Sequence, residues 1–267
     1  MVHWTKLRVL ATIVGLGGVY GVLRVLPGLA ALLSRQPVAN VVYHNDQRLP
    51  PLAALEQLRT AFPGNFATEF GGILAAILFA ILFFGVLSKL YKTAPVPTLL
   101  ATLFLGGSVL AVVLQAFTIL RVSEFAFQAT IASPDERRWL ENGVTFLNQL
   151  HLIFVHSWFL LTGLGLVFLG LASFGHSRWR TWAGAATLGG GLAVVSGEVL
   201  RAWFPELGET VPMALASAVT GTPTGDSMLV AGGGALGLLG TSLLVWCVSG
   251  PARTADAQPA AAADERR

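Results

Sequence analysis

Long apolar runs constrain this chain more than any other feature, because they determine the solvent in which it folds. The hydrocarbon core of a bilayer is about 30 Å thick, and an α-helix needs about 20 mostly apolar residues to cross it. Six runs satisfy this requirement with few internal charges, and each predicts a membrane-spanning helix. The predicted spans are residues 9–33, 70–87, 97–120, 150–174, 181–200 and 228–249. The sequence therefore predicts an all-α integral membrane protein, a six-transmembrane-helix bundle within residues 1–250.

The composition agrees with a protein folded in lipid. The chain is 54% hydrophobic and 12% charged, whereas soluble domains average about 25% charged residues. This balance excludes a disordered chain, a collagen or a nucleic-acid-binding domain as the main body of the protein. We therefore expect the lipid bilayer, and not nucleic acid, as its partner. The single cysteine, Cys247, excludes an intramolecular disulfide and an all-cysteine metal site.

The first apolar run differs from the others because it contains Arg24 and Pro27. Lys6 and Arg8 precede it, which is also typical of a secretory signal peptide. However, no A-x-A cleavage site follows the run, and it is long for the apolar region of a signal. We therefore interpret it as the first membrane helix.

Basic residues are distributed unequally between the two sides that six crossings define. One side carries nine Lys/Arg and three Asp/Glu, whereas the other carries seven Lys/Arg and eleven Asp/Glu. The nine basic residues are Lys6, Arg8, Lys89, Lys92, Arg178, Arg180, Arg253, Arg266 and Arg267. Lys and Arg concentrate on the cytoplasmic side of membrane proteins. We therefore predict that both termini are cytoplasmic and that the protein lies in the plasma (inner) membrane.

Three segments outside the spans carry recognisable local patterns. Residues 251–267 are rich in alanine and polar side chains, which predicts a disordered cytoplasmic tail. Residues 50–62 place apolar side chains at helical spacing, which predicts a short surface helix. Ser133 followed by Pro134 and Glu136 predicts a helix start. We expect that helix to continue into the fourth span as a long rod.

Glycines recur at helix-face spacing in three of the spans. Helices in lipid associate through close backbone approach, so these glycines predict packing faces rather than chemistry. The sets are Gly17 and Gly21 in the first span, Gly184 and Gly191 with Glu198 in the fifth, and Gly233, Gly237 and Gly240 in the sixth.

Polar side chains inside the spans collect in the outer half of the predicted bundle. Such groups are costly in lipid, so each is a candidate for function. On the fourth helix, both histidines lie in a polar arc of about 140° that also holds two glycines. This face is therefore expected to meet other helices. The candidate binding cluster consists of Arg24, Gln115, His151, His156 and Glu198.

Two interpretations of Glu198 remain open from the sequence. In the first, Glu198 and Arg201 form an i,i+3 pair that reaches the outer water boundary. In the second, Glu198 faces His156 and Gln115, with Arg24 as a further partner. A carboxylate–imidazole pair at that depth is able to couple proton binding to transport.

The two histidines of the fourth helix do not predict a metal site. His151 and His156 are five residues apart, about 140° around the helix, so their imidazoles do not converge on one ion. No other predicted span contains a histidine that would complete a bis-histidine haem site. We therefore expect neither a metal nor another cofactor. The polar face either lines a cavity or is only a packing seam.

Three functions are compatible with these features. The first is a transporter or permease-type subunit with an outward-facing polar vestibule. The second is a non-catalytic subunit or assembly partner of a membrane complex, which binds a protein partner through the outer loops. The third is a redox or quinone-handling membrane enzyme built on the two histidines. Because P-loop, HExxH and GxSxG motifs are absent from the sequence, common enzymatic functions are disfavoured.

Overall fold

The computed structural model describes residues 4–33, 70–174 without 72 and 75, 177–203 and 228–249. Within these ranges all regular structure is helical and there is no strand, which confirms the predicted all-α class for this part of the chain. The predicted surface helix at residues 50–62 and the predicted disordered tail at 251–267 lie outside the described residues. The helices are α1 (Trp4–Leu33), α2 (Ala76–Leu90), α3 (Pro95–Ile131), α4 (Pro134–Ala172), α5 (Arg178–Trp203) and α6 (Met228–Val248).

Four of these helices are long and apolar enough to cross a membrane: α1, α3, α4 and α6. In the described residues α2 is apolar but shorter, and α5 carries Arg178, Arg180, Glu198 and Arg201 along its length. Length and composition therefore support a multi-pass membrane protein. A count of six crossings stays a prediction.

Helices α3 and α4 extend beyond the spans predicted for them and form a long hairpin. The turn between them is short, and α4 begins at Pro134 as predicted. The Glu136 carboxylate accepts hydrogen bonds from the backbone N–H of Ser133 at 3.2 Å and from its hydroxyl at 2.7 Å. These bonds stabilise the start of the helix. The helix then continues without a break to Ala172, which confirms the predicted rod.

The helices pack as neighbours in the order α3, α4, α5, α6 and α1, and α2 packs against α1. A buried apolar cluster forms where alternating helix ends meet: the beginnings of α1, α3 and α5 and the ends of α2, α4 and α6. Its members include Leu7 of α1, Phe83 of α2, Leu105 of α3, Leu169 of α4, Ala183 of α5 and Leu244 of α6. The six described helices therefore run alternately up and down. The ends that meet here are those predicted to be cytoplasmic.

Glycine contacts confirm the predicted face of α6 and correct that of α1. A Cβ at Gly237 would lie 2.6 Å from the Leu166 side chain, so this face is tightly packed. On α1, a Cβ at Gly17 would meet nothing within 4 Å, whereas one at Gly18 would lie 2.9 Å from the Ala235 carbonyl oxygen. The predicted Gly17–Gly21 pair is therefore wrong at its first member. One residue turns the helix face by about 100°, and the contact with α6 selects Gly18 instead.

Candidate functional site

Helices α4 and α5 meet along a seam of small residues that ends in two polar side chains. A Cβ at Gly170 would lie 2.8 Å from the Gly184 carbonyl oxygen, and a Cβ at Gly191 would lie 2.6 Å from the Gly163 carbonyl oxygen. Seven residues separate Gly163 from Gly170 on α4, and seven separate Gly184 from Gly191 on α5, so the contacts repeat at the same interval along both helices, which run in opposite directions. The next step brings together His156 and Glu198. The glycine contacts therefore determine the register that places these two side chains opposite each other.

His156 and Glu198 form a direct hydrogen-bonded pair. The Nδ1 atom of His156 lies 2.8 Å from Oε2 of Glu198, a distance typical of a charge-assisted hydrogen bond. The Glu198 side chain is 5% exposed, whereas that of His156 is 40% exposed. The carboxylate is therefore enclosed by protein while the imidazole remains reachable from outside the bundle. Burial of Glu198 disfavours the interpretation in which this residue reaches out to the water boundary.

One oxygen of the Glu198 carboxylate has no hydrogen-bond partner among the described residues. Oε1 is buried and finds no donor in the part of the chain that the structure describes. A buried acceptor without a partner costs about 1–3 kcal/mol, and more when the group is charged. Native proteins keep few such atoms. This oxygen is therefore the part of the pair that is available to an incoming donor or cation.

His151 faces a different helix from His156. Its Nδ1 atom lies 3.4 Å from the backbone carbonyl oxygen of Gln115 on α3, which is a long contact. The imidazole of His156 faces α5 instead. This arrangement agrees with the angular separation predicted for the two histidines, whose rings do not approach one another.

The structure thus divides the predicted cluster into two pairs. His156 lies with Glu198 between α4 and α5, and His151 lies with Gln115 between α3 and α4. Arg24 belongs to α1, but its side chain lies outside the described part of the structure, as does that of Arg201. A binding role for these residues stays a prediction.

Two features were not recognised from the sequence. The Nε and Nη2 atoms of Arg180 are buried without a hydrogen-bond partner in the described residues, although the sequence marked Arg180 only as a topology signal. A cleft of about 610 Å³ also lies between the end of α3 and the beginning of α4. Its lining includes Arg121, Phe125, Trp139 and Phe146. The seven-residue spacing of Trp139 and Phe146, which places both rings on one face, was the available signal.

The described residues contain no group of three or more His, Cys, Asp or Glu side chains that is arranged to hold a metal ion. The pair of His156 and Glu198 supplies one imidazole and one carboxylate. These groups are able to bind and release a proton, and the free carboxylate oxygen is able to accept a hydrogen bond or a cation.

Comparison with known proteins finds no match, whether to a protein-family model, a curated protein or a solved structure.

Proposed function

We propose that this protein is a proton-coupled transport subunit of the plasma (inner) membrane, with six crossings, both termini cytoplasmic and a polar vestibule open to the outside. The observation that carries the proposal is the hydrogen-bonded pair of His156 and Glu198, in which one buried carboxylate oxygen has no partner among the described residues. Ionisable side chains within membrane segments are costly and mark ion or substrate pathways.

The pair supplies a chemical basis for exchange. When Nδ1 of His156 carries a proton, it donates to Oε2 of Glu198, and a second proton on Nε2 makes the imidazole cationic. A cationic solute that binds at Oε1 is attracted by the same carboxylate charge of Glu198. The two positive charges repel each other, so binding of the solute favours release of the proton. We therefore infer that the protein exchanges protons for a small cation.

The packing of α5 supports its assignment as a crossing helix. It lies between α4 and α6, which are both long and apolar enough to cross. Two faces of α5 are covered by its glycine-rich contacts with α4 and α6. Less of its surface would therefore face lipid, and less of it needs to be apolar. From Gly184 to Glu198 the seam with α4 extends over roughly 20 Å, about two thirds of the hydrocarbon thickness.

The transport proposal is tested in proteoliposomes that contain a pH-sensitive dye. Guanidinium and quaternary ammonium ions are suitable external probes, because their permanent charge prevents them from carrying protons themselves. We expect at least one probe to make the lumen more alkaline as protons leave in exchange. Protein-free liposomes provide the baseline. A lumenal pH that stays at this baseline with every probe would contradict cation–proton exchange.

The proposed orientation is tested with single cysteines in a Cys247→Ser background. Ser133 and Ser177 are exposed and flank the two ends of α4, which are roughly 60 Å apart in a helix of 39 residues. We expect a membrane-impermeant maleimide to label Ser133→Cys in intact cells. Ser177→Cys should react only after the membrane is opened. The reverse pattern would show that the orientation is inverted, and labelling of both in intact cells would exclude a crossing by α4.

A second candidate function, a subunit that binds a protein partner, is favoured by the cleft at the outer end of the α3–α4 hairpin. Trp139 is 65% exposed and Phe146 is 64% exposed, and both line this cleft. For this function we expect a photo-crosslinker at position 139 to trap one defined partner. Substitution of Phe146 by serine should abolish that product, whereas substitution of Glu198 should not. An unchanged pattern in the Phe146 variant would count against the cleft as the docking site.

A further inference from the structure

Arg180, in the first turn of α5, has a guanidinium edge that donates a hydrogen bond to none of the described residues. Its Nε and Nη2 atoms are buried, and neither has a hydrogen-bond partner in the described residues. These two nitrogens form one edge of the planar group, with parallel N–H donors that match two oxygens of a phosphate or carboxylate. Buried donors without acceptors are costly. The edge is therefore suited to an anionic ligand that supplies both acceptors.

Arg8, at the same end of the bundle, shows how such an edge is normally satisfied. Its Nε donates to the Ser249 hydroxyl at 2.8 Å, and its Nη2 donates to the Ser249 backbone carbonyl oxygen. Its guanidinium also lies 5.2 Å from the ring centroid of Trp246. Ser249, which directly follows α6, thus supplies an acceptor for each of these two Arg8 donors. In the described part of the chain, the corresponding donors of Arg180 have no such acceptors.

Among the described residues, no carboxylate lies near Arg180 as a partner. The described acidic residues, which are Glu124, Asp135, Glu136, Glu141 and Glu198, belong to the opposite end of the bundle. Among the described ionisable side chains, that of Cys247 on α6 lies near enough to Arg180 for an electrostatic interaction. A thiol is only a weak hydrogen-bond acceptor, so Cys247 does not satisfy the two donors.

The position of Arg180 points to the lipid headgroup layer. The residue is half-buried and its neighbour Cys247 is exposed, so the guanidinium lies near the surface of the bundle. Trp179 is 79% exposed and Trp182 is 63% exposed on either side of it. Exposed tryptophans are typical of the membrane–water interface. Basic pockets between helices on the cytoplasmic side bind anionic headgroups.

We propose that the Nε and Nη2 edge of Arg180 binds the phosphate of an anionic phospholipid of the cytoplasmic leaflet, between the start of α5 and the end of α6. Because both nitrogens are buried, binding requires a rotation about the side-chain torsions of Arg180 that turns this edge toward the lipid. The inference rests on the predicted orientation of the chain and is independent of transport, because it concerns the opposite end of the bundle from His156 and Glu198.

The test measures thermal unfolding of delipidated full-length protein in mild detergent. Phosphatidylglycerol, phosphatidylcholine and inorganic phosphate are added in separate arms. We expect phosphatidylglycerol to raise the Tm of the wild type, since a ligand that binds only the folded state stabilises it. The Arg180→Gln and Arg180→Lys variants should each bind about tenfold more weakly or worse, because lysine keeps the charge but lacks the paired donors.

Arg178→Gln is the matched control, since Arg178 is exposed in the same helical turn and loses an equal charge. It should respond to phosphatidylglycerol as the wild type does. An equal loss of phosphatidylglycerol binding in Arg178→Gln would show that the lipid is attracted by charge in general. Binding by Arg180→Lys at the wild-type level would show that the paired donors of the guanidinium edge do not contribute. Equal stabilisation by inorganic phosphate would assign the site to a free anion instead of a lipid. Each of these three results would overturn the proposal.

Discussion

Gly191→Ala is expected to force α4 and α5 apart and to lower the free energy of unfolding by about 3 kcal/mol, the upper end of the range for overpacking. A Cβ at this position would lie 2.6 Å from the Gly163 carbonyl oxygen and 2.7 Å from the Val167 backbone nitrogen. Backbone atoms cannot rotate away as a flexible side chain can, so the helices themselves have to separate.

The two glycines that precede Gly191 provide matched comparisons. Gly190 faces α6, where a Cβ would lie 2.5 Å from the Gly237 backbone nitrogen, and Gly190→Ala should destabilise the protein by a similar amount. At Gly189 the nearest atom would be 4.0 Å away, in the side chain of Leu236. Gly189→Ala should therefore be neutral or stabilising, because alanine favours helix by about 1 kcal/mol over glycine.

Thermal unfolding of the three alanine variants in detergent micelles distinguishes packing from helix propensity. Equal effects at positions 189, 190 and 191 would show that the seam does not determine stability. Gly191→Ala should also impair any activity of the His156–Glu198 pair, since it displaces the helix that carries Glu198. Gly190→Ala acts on the face of α5 that meets α6 and should affect that pair less.

Glu198→Gln is expected to reduce cation–proton exchange to the level of protein-free liposomes while the protein stays folded. The glutamine side chain has nearly the same shape, and its carbonyl oxygen accepts the hydrogen bond from Nδ1 of His156. It carries no charge, so it neither holds a cation at the second oxygen nor stabilises an imidazolium. Because the hydrogen bond is retained, the free energy of unfolding should change by no more than about 1 kcal/mol.

Glu124→Gln is the control for this experiment. Glu124 is 45% exposed, lies near the C-terminal end of α3 and pairs with Arg121 at 2.5 Å, so the variant loses an equal charge away from the pair of His156 and Glu198. It should exchange cations as the wild type does. If His156 and Glu198 act as one unit, the double variant with His156→Gln should be no less active than Glu198→Gln itself. Full exchange by Glu198→Gln would exclude the carboxylate from the mechanism.

Much of the candidate site could be predicted from local helical geometry. The seven-residue steps that join Gly184, Gly191 and Glu198 place these residues on one face of α5 whatever the rest of the chain does. The same argument placed His156 on the glycine face of α4. Which face of α5 meets that of α4 was not determined by spacing, because it depends on the register between two separate helices.

The long apolar runs of the sequence by themselves indicated lipid as the solvent and with it the helical class, because lipid requires every backbone polar group to be satisfied within its own helix. The start of α4 followed from the local capping residues Ser133 and Glu136. The sequence also determined the relative angles of side chains on each helix. The tertiary structure decided how each helix is rotated and what lies opposite. It selected Gly18 over Gly17, directed His151 and His156 to different neighbours, and left the Arg180 edge without an acceptor among the described residues. These outcomes depend on contacts between distant segments, and periodicity within one segment carries no information about them.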